Sequence, residues 1–199
     1  MKRYLFDIGG VLVNFSIPLL IEKIAAEGRT STVRVTEVFA HDLTEMVETG
    51  RISGPSFFDS YVKPILPQWA YEDWIAAWMD NYSLNEPGMR LLRDIKKAGH
   101  PVYILSNLAE YNKTALERKF AGFFNNVKTA FFSYELGLHK PDTAIYHAVA
   151  SKLGAEANTF VFFDDTPKNV EGAKAAGMQA FLFTNENTAG QQPQPGGSV

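Results

Sequence analysis

The stretch Tyr4-Leu5-Phe6-Asp7-Ile8-Gly9-Gly10-Val11-Leu12 decides how the rest of the chain is read. Its first residues are apolar without alternation, the pattern of a central strand buried on both faces. Residues 2–6 are therefore read as strand one. The strand runs into a carboxylate, Asp7, and then into a pair of glycines. A strand-end carboxylate beside backbone that only glycine relaxes into comfortably suggests a nucleophile or a metal ligand.

Outward from that stretch the pattern changes twice. Residues 17–26 read as a helix, with Ser16 as its N-cap and Pro18 in the first turn. Helical spacing continues over 32–48, with a break near His41, then over 53–65 and 71–82. Asn85 caps a helix that runs to Gly99, with Pro87 in its first turn. Strands then alternate with helices: strands at 101–105, 127–132, 159–163 and 179–183, helices at 112–120, 142–153 and 167–176. That alternation predicts an α/β fold, a Rossmann-like, doubly wound parallel sheet covered on both faces. The helical block interrupts it after strand one and reads as an inserted cap. The expected organisation is a core of residues 1–15 and 83–184, a helical cap at 16–82, and a disordered tail at 185–199, rich in Gly, Pro, Gln and Asn.

Composition narrows the chemistry. The 199 residues suffice for one domain with a large insertion. The formal net charge of -3 gives no global argument for nucleic acid or an acidic membrane. There is no cysteine, which excludes disulfides and thiolate metal sites and leaves oxygen or imidazole ligands. No apolar run resembles a signal peptide, and none approaches the roughly 20 residues of a membrane span. The expectation is a cytoplasmic protein without nucleic-acid or membrane partners; the oligomeric state stays open.

Four signals fall at strand or loop ends: Asp7, Ser106-Asn107, Lys140-Pro141-Asp142 and Asp164-Asp165. In an open parallel sheet, ligands bind outside the carboxyl ends of the strands. Asp7, Asp164 and Asp165 crowded together would repel each other, and a hard divalent cation such as Mg²⁺ relieves that repulsion. Lys140 and the Ser106 hydroxyl can hold an anion such as phosphate. Aspartate, Mg²⁺ and lysine around one phosphoryl group suit nucleophilic phosphoryl transfer. Each signal alone has a bland reading as a turn residue, helix cap or solvated lysine. Their joint order and spacing carry the argument.

These motifs resemble those of the haloacid dehalogenase superfamily of aspartate-nucleophile hydrolases. The carriers are Phe6-Asp7-Ile8-Gly9-Gly10-Val11-Leu12, Leu105-Ser106-Asn107, Lys140-Pro141-Asp142 and Phe163-Asp164-Asp165-Thr166-Pro167-Lys168-Asn169. The resemblance implies a sheet order of 5-4-1-2-3 and a small helical cap. It also implies roles. Asp7 attacks phosphorus. Ser106 and the backbone of Asn107 hold phosphoryl oxygens, and Lys140 neutralises nucleophile and phosphate. Asp7, the Gly9 carbonyl and Asp165 hold Mg²⁺, with Asp164 as ligand or support, and Asn169 supports that carboxylate loop.

Phosphatases of the family usually carry an acid/base aspartate where this chain has Gly9. Loss of such a group typically costs about 10²–10⁴-fold. The Asp-x-Gly pattern and Glu48-Thr49-Gly50-Arg51-Ile52-Ser53 resemble a bacterial sugar-phosphatase subgroup that includes α-glucose-1-phosphate phosphatase. The expected substrate is a small phosphomonoester, a sugar phosphate or another ester with a good leaving group. Glu48, also a candidate substrate contact, or His41 from the cap, or a water, stands as the replacement for the missing acid. Three alternatives remain: a metal-independent dehalogenase acting at carbon, in which Arg51 would hold a carboxylate against its plainer reading as a solvated cap arginine; a non-catalytic binding or regulatory protein; and phosphotransfer to an acceptor other than water. Trp69, Trp74 and Trp78 read as cap packing, and His139 as a neighbour of the site without a catalytic role.

Overall fold

The structure is a computed structural model that describes residues 1–185. The expected tail lies outside the described residues except for Asn185. The centre is a five-stranded parallel sheet of β1 (Arg3–Phe6), β4 (Val102–Ser106), β5 (Thr129–Phe132), β6 (Phe160–Asp164) and β7 (Gln179–Leu182). The spatial order is β5-β4-β1-β6-β7. Numbered along the chain as five strands, this is the 5-4-1-2-3 order that the resemblance implies. Alternate residues of β1 face opposite layers. Tyr4 and Phe6 join a core cluster that extends into the helices of the insertion, and Leu5 joins a second cluster with Ile145, Tyr146 and Phe162.

Register explains why the functional side chains gather. Phe6 pairs with Ile104 on one side and Phe163 on the other, and the Asp7 N–H continues the ladder to Phe163 O at 2.9 Å. The three central strands therefore end at one edge: β1 just before Asp7, β4 on Ser106 and β6 on Asp164.

Between the first strand and the rest of the sheet lie α1 (Ile17–Gly28), α2 (Thr32–Val38), α3 (His41–Glu48), α4 (Gly54–Phe57), a π-helical turn (Phe58–Val62) and α5 (Tyr71–Asn81). Ser16 caps α1 by accepting the Leu19 N–H at 3.4 Å. The break expected near His41 falls at Phe39–Ala40, which separates α2 from α3. The segment expected to be one helix over 53–65 is instead α4 plus the π turn.

Two strands escape the sequence reading. β2 (Val13–Asn14) pairs antiparallel with β3 (Ser83–Leu84), so the two chain segments that lead into and out of the insertion are zipped together. Two residues are too few to show a period of two.

The remaining helices are α6 (Glu86–Lys97), α7 (Glu110–Lys119), α8 (Ser133–Leu136), α9 (Thr143–Lys152) and α10 (Pro167–Ala175). α7 starts before the expected 112 because Asn112 Oδ1 accepts the Ala109 N–H at 3.1 Å and caps the helix from inside. α8 is one turn long and was not anticipated. No helix among the described residues is long and apolar enough to cross a membrane.

Candidate active site

Asp7 sits buried at the base of a tight turn in which Ile8 O accepts the N–H groups of Val11, Leu12 and Val13. Gly10 adopts φ +67°, where a side chain is strained. An added Cβ there would also lie 1.9 Å from Asp165 Oδ2, so glycine lets that carboxylate approach the turn. Asn85, expected to cap α6, makes no side-chain cap and braces this turn instead, its Nδ2 donating to Gly10 O at 3.0 Å.

Lys140 lies between two carboxylates. Its Nζ is 3.0 Å from Asp7 Oδ1 and 2.6 Å from Asp164 Oδ2. Asp164 also accepts both Asn169 Nδ2–H bonds, at 3.0 and 3.1 Å, and the Thr166 N–H at 2.9 Å. Asn169 is fixed in turn by Tyr146, whose hydroxyl donates to Asn169 O at 2.8 Å. Asp164 is therefore saturated with donors. Asp7 Oδ1 accepts the Ile8 N–H at 2.7 Å, and the Ser106 side chain hydrogen-bonds the same carboxyl.

The electrostatics follow from burial. Burial pushes the Asp7 carboxyl up to about 7, helped by the charge of Asp164 and opposed by Lys140 and Ser106. Burial alone would lower the Lys140 ammonium, but Asp164 and Asp7 more than offset it and hold its pKa above the usual lysine value. Asp165, more exposed, is raised by burial first and by Asp164 second.

Oxygens of Asp7, Asp164 and Asp165 lie within 4.8 Å of one another. Three carboxylates face one ammonium, so the cluster is short of positive charge. Hard oxygen donors with excess negative charge fit a small divalent cation such as Mg²⁺.

A cavity of about 380 Å³ opens above this base, and Asp7, Ser106, Asn107, Lys140 and Asp165 all line it. Asn107 braces the loop through its side chain: Oδ1 accepts the Lys140 N–H at 2.9 Å and Nδ2 donates to Lys140 O at 3.0 Å. The same Nδ2 lies 3.1 Å from His139 Nδ1, and His139 Nε2 lies 2.8 Å from Glu48 Oε2. Since Asn107 Nδ2 is a donor, His139 Nδ1 accepts and Nε2 donates to Glu48. This chain of bonds ties the end of α3 to the loop that carries Lys140.

The structure thus gathers Asp7, Gly9, Ser106, Asn107, Lys140 and Asp165 around one cavity, with Glu48 on the same wall. Asp164 stands behind Lys140 rather than in the lining. His41 and Arg51 are different. The His41 side chain is 83% exposed beside Asp42 and Glu45, and Arg51 pairs with Glu45 at 2.8 Å. Neither is a lining residue. Of the tryptophans, Trp69 only packs, whereas Trp74 and Trp78 pack and also line the cavity. Their indole N–H groups are buried without hydrogen-bond partners. Phe15, which also lines the cavity, carried no motif; His139, read as a neighbour of the site, is now seen to bond Glu48.

A strand-end aspartate with a lysine and further acidic partners stands at the edge of a parallel sheet, where ligands of such sheets bind. The chain belongs to the haloacid dehalogenase-like hydrolases, whose family profile matches residues 1–177. A phosphatase of Mycobacterium tuberculosis is 33% identical over 91 residues, 46% of this chain and 42% of that protein. A sesquiterpene phosphatase of Aspergillus oryzae is 26% identical over 198 residues, 92% of this chain and 90% of its own. The first two curated relatives are matched over only 42% of their own length. Among solved structures, a family enzyme of Bacteroides thetaiotaomicron, crystallised with magnesium and inorganic phosphate, superposes with TM-score 0.81. It shares 23% identity, with 93% of this chain and 95% of that one covered, and so bears on the fold.

Proposed function

We propose that the chain is a cytoplasmic, Mg²⁺-dependent phosphatase that hydrolyses a small phosphomonoester through an aspartyl phosphate on Asp7. The observation that carries this reading is the buried lysine held 3.0 Å from Asp7 and 2.6 Å from Asp164, beside a third carboxylate. Asp7 attacks phosphorus, and the bond from phosphorus to the ester oxygen breaks. Ser106 and the Asn107 backbone hold the phosphoryl oxygens, and Lys140 offsets the charge that gathers there. Water then cleaves the acyl phosphate, releasing inorganic phosphate and restoring Asp7. Asp7, the Gly9 carbonyl and Asp165 would hold Mg²⁺, while Asp164 keeps Lys140 in place. When bound, the ion supplies charge neutralisation at the phosphoryl oxygens.

Glu48 would be the cap residue that touches substrate; its position in the cavity lining, with one oxygen held by His139, supports this. The phosphatases among the relatives, and the magnesium and phosphate held by the Bacteroides enzyme, support the reading. A sugar phosphate is the substrate that the Asp-x-Gly resemblance implies. The metal-free dehalogenase and the binding protein draw on Gly9, but neither accounts for a carboxylate cluster with an excess of negative charge.

The test is phosphate release from a panel of phosphomonoesters, with Mg²⁺ or chelator, for wild type and Asp7→Asn. Metal-dependent turnover that disappears in the variant is expected. Folded protein that releases no phosphate from any ester, or does so equally well in chelator, would remove the reading.

A further inference from the structure

The cavity above Asp7 is polar at its base and apolar above. Val38, Phe39, Phe57, Trp74 and Trp78 from the insertion, with Leu116 from α7, line the upper part. The rings brace one another, with centroids 5.9 Å apart for Phe39 and Trp74, 6.1 Å for Phe39 and Trp78, and 6.3 Å for Trp74 and Trp78. This wall is pre-packed and does not have to be assembled by a ligand. The volume of about 380 Å³ lies in the range of pockets that enclose a whole organic ligand, roughly 300–1,000 Å³.

A hexose carries a hydroxyl on almost every carbon, and each one buried without a partner is costly. Besides the indole N–H groups of Trp74 and Trp78, the insertion offers few polar side chains to this cavity: Thr44, Glu48 and Tyr82. Glu48 is engaged by His139, and the Tyr82 hydroxyl already accepts from Asn112 Nδ2 at 3.0 Å. Such a wall rewards apolar area instead.

A second observation concerns the ester oxygen. A Cβ added to Gly9 would lie 2.8 Å from Phe15 Cε1, so a hydrocarbon ring edge fills the direction in which an acid would project. Phe15 lines the same cavity. With no carboxyl at that point, and Glu48 engaged by His139, the site favours a departing oxygen that carries its own negative charge. A phenolic oxygen does this readily, its pKa being about 10 as in tyrosine, whereas a simple alcohol does not.

We propose that the substrate is an aryl phosphate: a phosphate ester of a phenolic hydroxyl on an apolar ring system, seated against Phe15, Phe39 and Trp78, with the buried Trp74 packed against Phe39 and Trp78. This rests on the phosphatase reading of the same site. One oxygen of Asp7 bonds to phosphorus as the bond from phosphorus to the aryl oxygen breaks. The bonding pair leaves on that oxygen as phenolate, which takes its proton from water.

Two measurements test it. The first is calorimetric binding, with Mg²⁺ present, of (1-naphthylmethyl)phosphonate and of methylphosphonate, neither of which can turn over. The naphthyl compound is expected to bind at least about tenfold more tightly, and equal affinity would overturn the apolar seat. The second is kcat/KM for 1-naphthyl phosphate, cyclohexylmethyl phosphate and glucose 1-phosphate. The naphthyl ester is expected to lead both by at least about tenfold. Parity with glucose 1-phosphate overturns the assignment while leaving the phosphatase standing, and parity with the cyclohexylmethyl ester removes the phenolic leaving group. Turnover of none of the three, nor of any other ester, would sink the phosphatase and the substrate together. Gly9→Asp in a Phe15→Ala background supplies room and an acid, and is expected to shrink the naphthyl lead over the cyclohexylmethyl ester. An unchanged ratio counts against the role given to Gly9.

Discussion

The base and the wall of the cavity are made by different physics. The base is assembled from strand ends and loops that are far apart in sequence, and ionic hydrogen bonds hold it: Lys140 to Asp7 and Asp164, Asn169 to Asp164, Asn107 to the Lys140 backbone. The wall comes from helices and is held by ring packing, with two indole N–H groups left unsatisfied. Burying charges costs stability unless every partner is present, whereas packing rings contributes it. On the proposed reading the base serves chemistry and the wall recognition, and perturbing each should show in different observables.

The sharpest separation is Asp7→Asn. Phosphate release should fall on the order of 10⁴-fold or more, as expected when a nucleophile is removed. Steady-state kinetics check it, and a variant retaining a tenth of the activity would place the nucleophile elsewhere.

Next in size is Lys140→Met, which strands two buried carboxylates. It should cost roughly 3–5 kcal/mol of stability. The midpoint of urea unfolding reports this, and excess Mg²⁺ should recover part of it. An unchanged midpoint would mean that Lys140 is not the counter-ion of the base.

The base should also make stability fall with rising pH in the absence of metal. The Asp7 carboxyl is raised to about 7 in the fold, against an ordinary value of 3.8. Between those values the native state binds more protons than the unfolded chain, so unfolding free energy declines as pH rises. One proton corresponds to a slope of about 1.4 kcal/mol per pH unit. Urea titrations from pH 4 to 7 measure it, and Mg²⁺ should flatten the curve. A rise with pH would contradict the assigned burial of Asp7.

Gly10→Ala tests the turn alone. The positive φ costs about 1–2 kcal/mol for alanine, and the new Cβ must push Asp165 away. Mg²⁺ affinity from calorimetry should drop with it; unchanged affinity would show that Asp165 needs no access to the turn. The smallest effect belongs to the junction of the two regions. Glu48→Gln weakens a part-exposed contact to His139 and should cost under about 1 kcal/mol of stability. A large loss would mean that this bond, rather than the shared apolar core, holds the insertion to the sheet.

Much of the base was legible in the sequence. The apolar run before Asp7, the strands ending near Ser106 and Asp164, and the lysine before Pro141 each carry local patterns, while the strand order came only from the family resemblance. What stayed hidden had no local pattern. Asn85 looks like a helix cap, but its amide serves Gly10 because Leu12 O takes the Asn85 N–H at 2.9 Å and brings it there. His139 is one histidine in a loop until Glu48 arrives from 91 residues away. The helix pair at 32–48 broke close to where expected, yet nothing in its spacing tells which ring faces solvent, the core or a cavity.

By itself the sequence determined the strand and helix alternation, the acidic and basic residues at the strand ends, and the absence of a side chain at position 9. These follow from neighbour-to-neighbour chemistry, where periodicity and residue type are enough. Tertiary structure alone decided that Asp164 serves Lys140, that Phe15 stands where an acid would project, and that two tryptophans read as packing also wall a cavity. Those facts depend on which surfaces meet when the zipped β2–β3 connection lays the helices over the sheet edge, and no periodicity in a single segment encodes the far side of a contact.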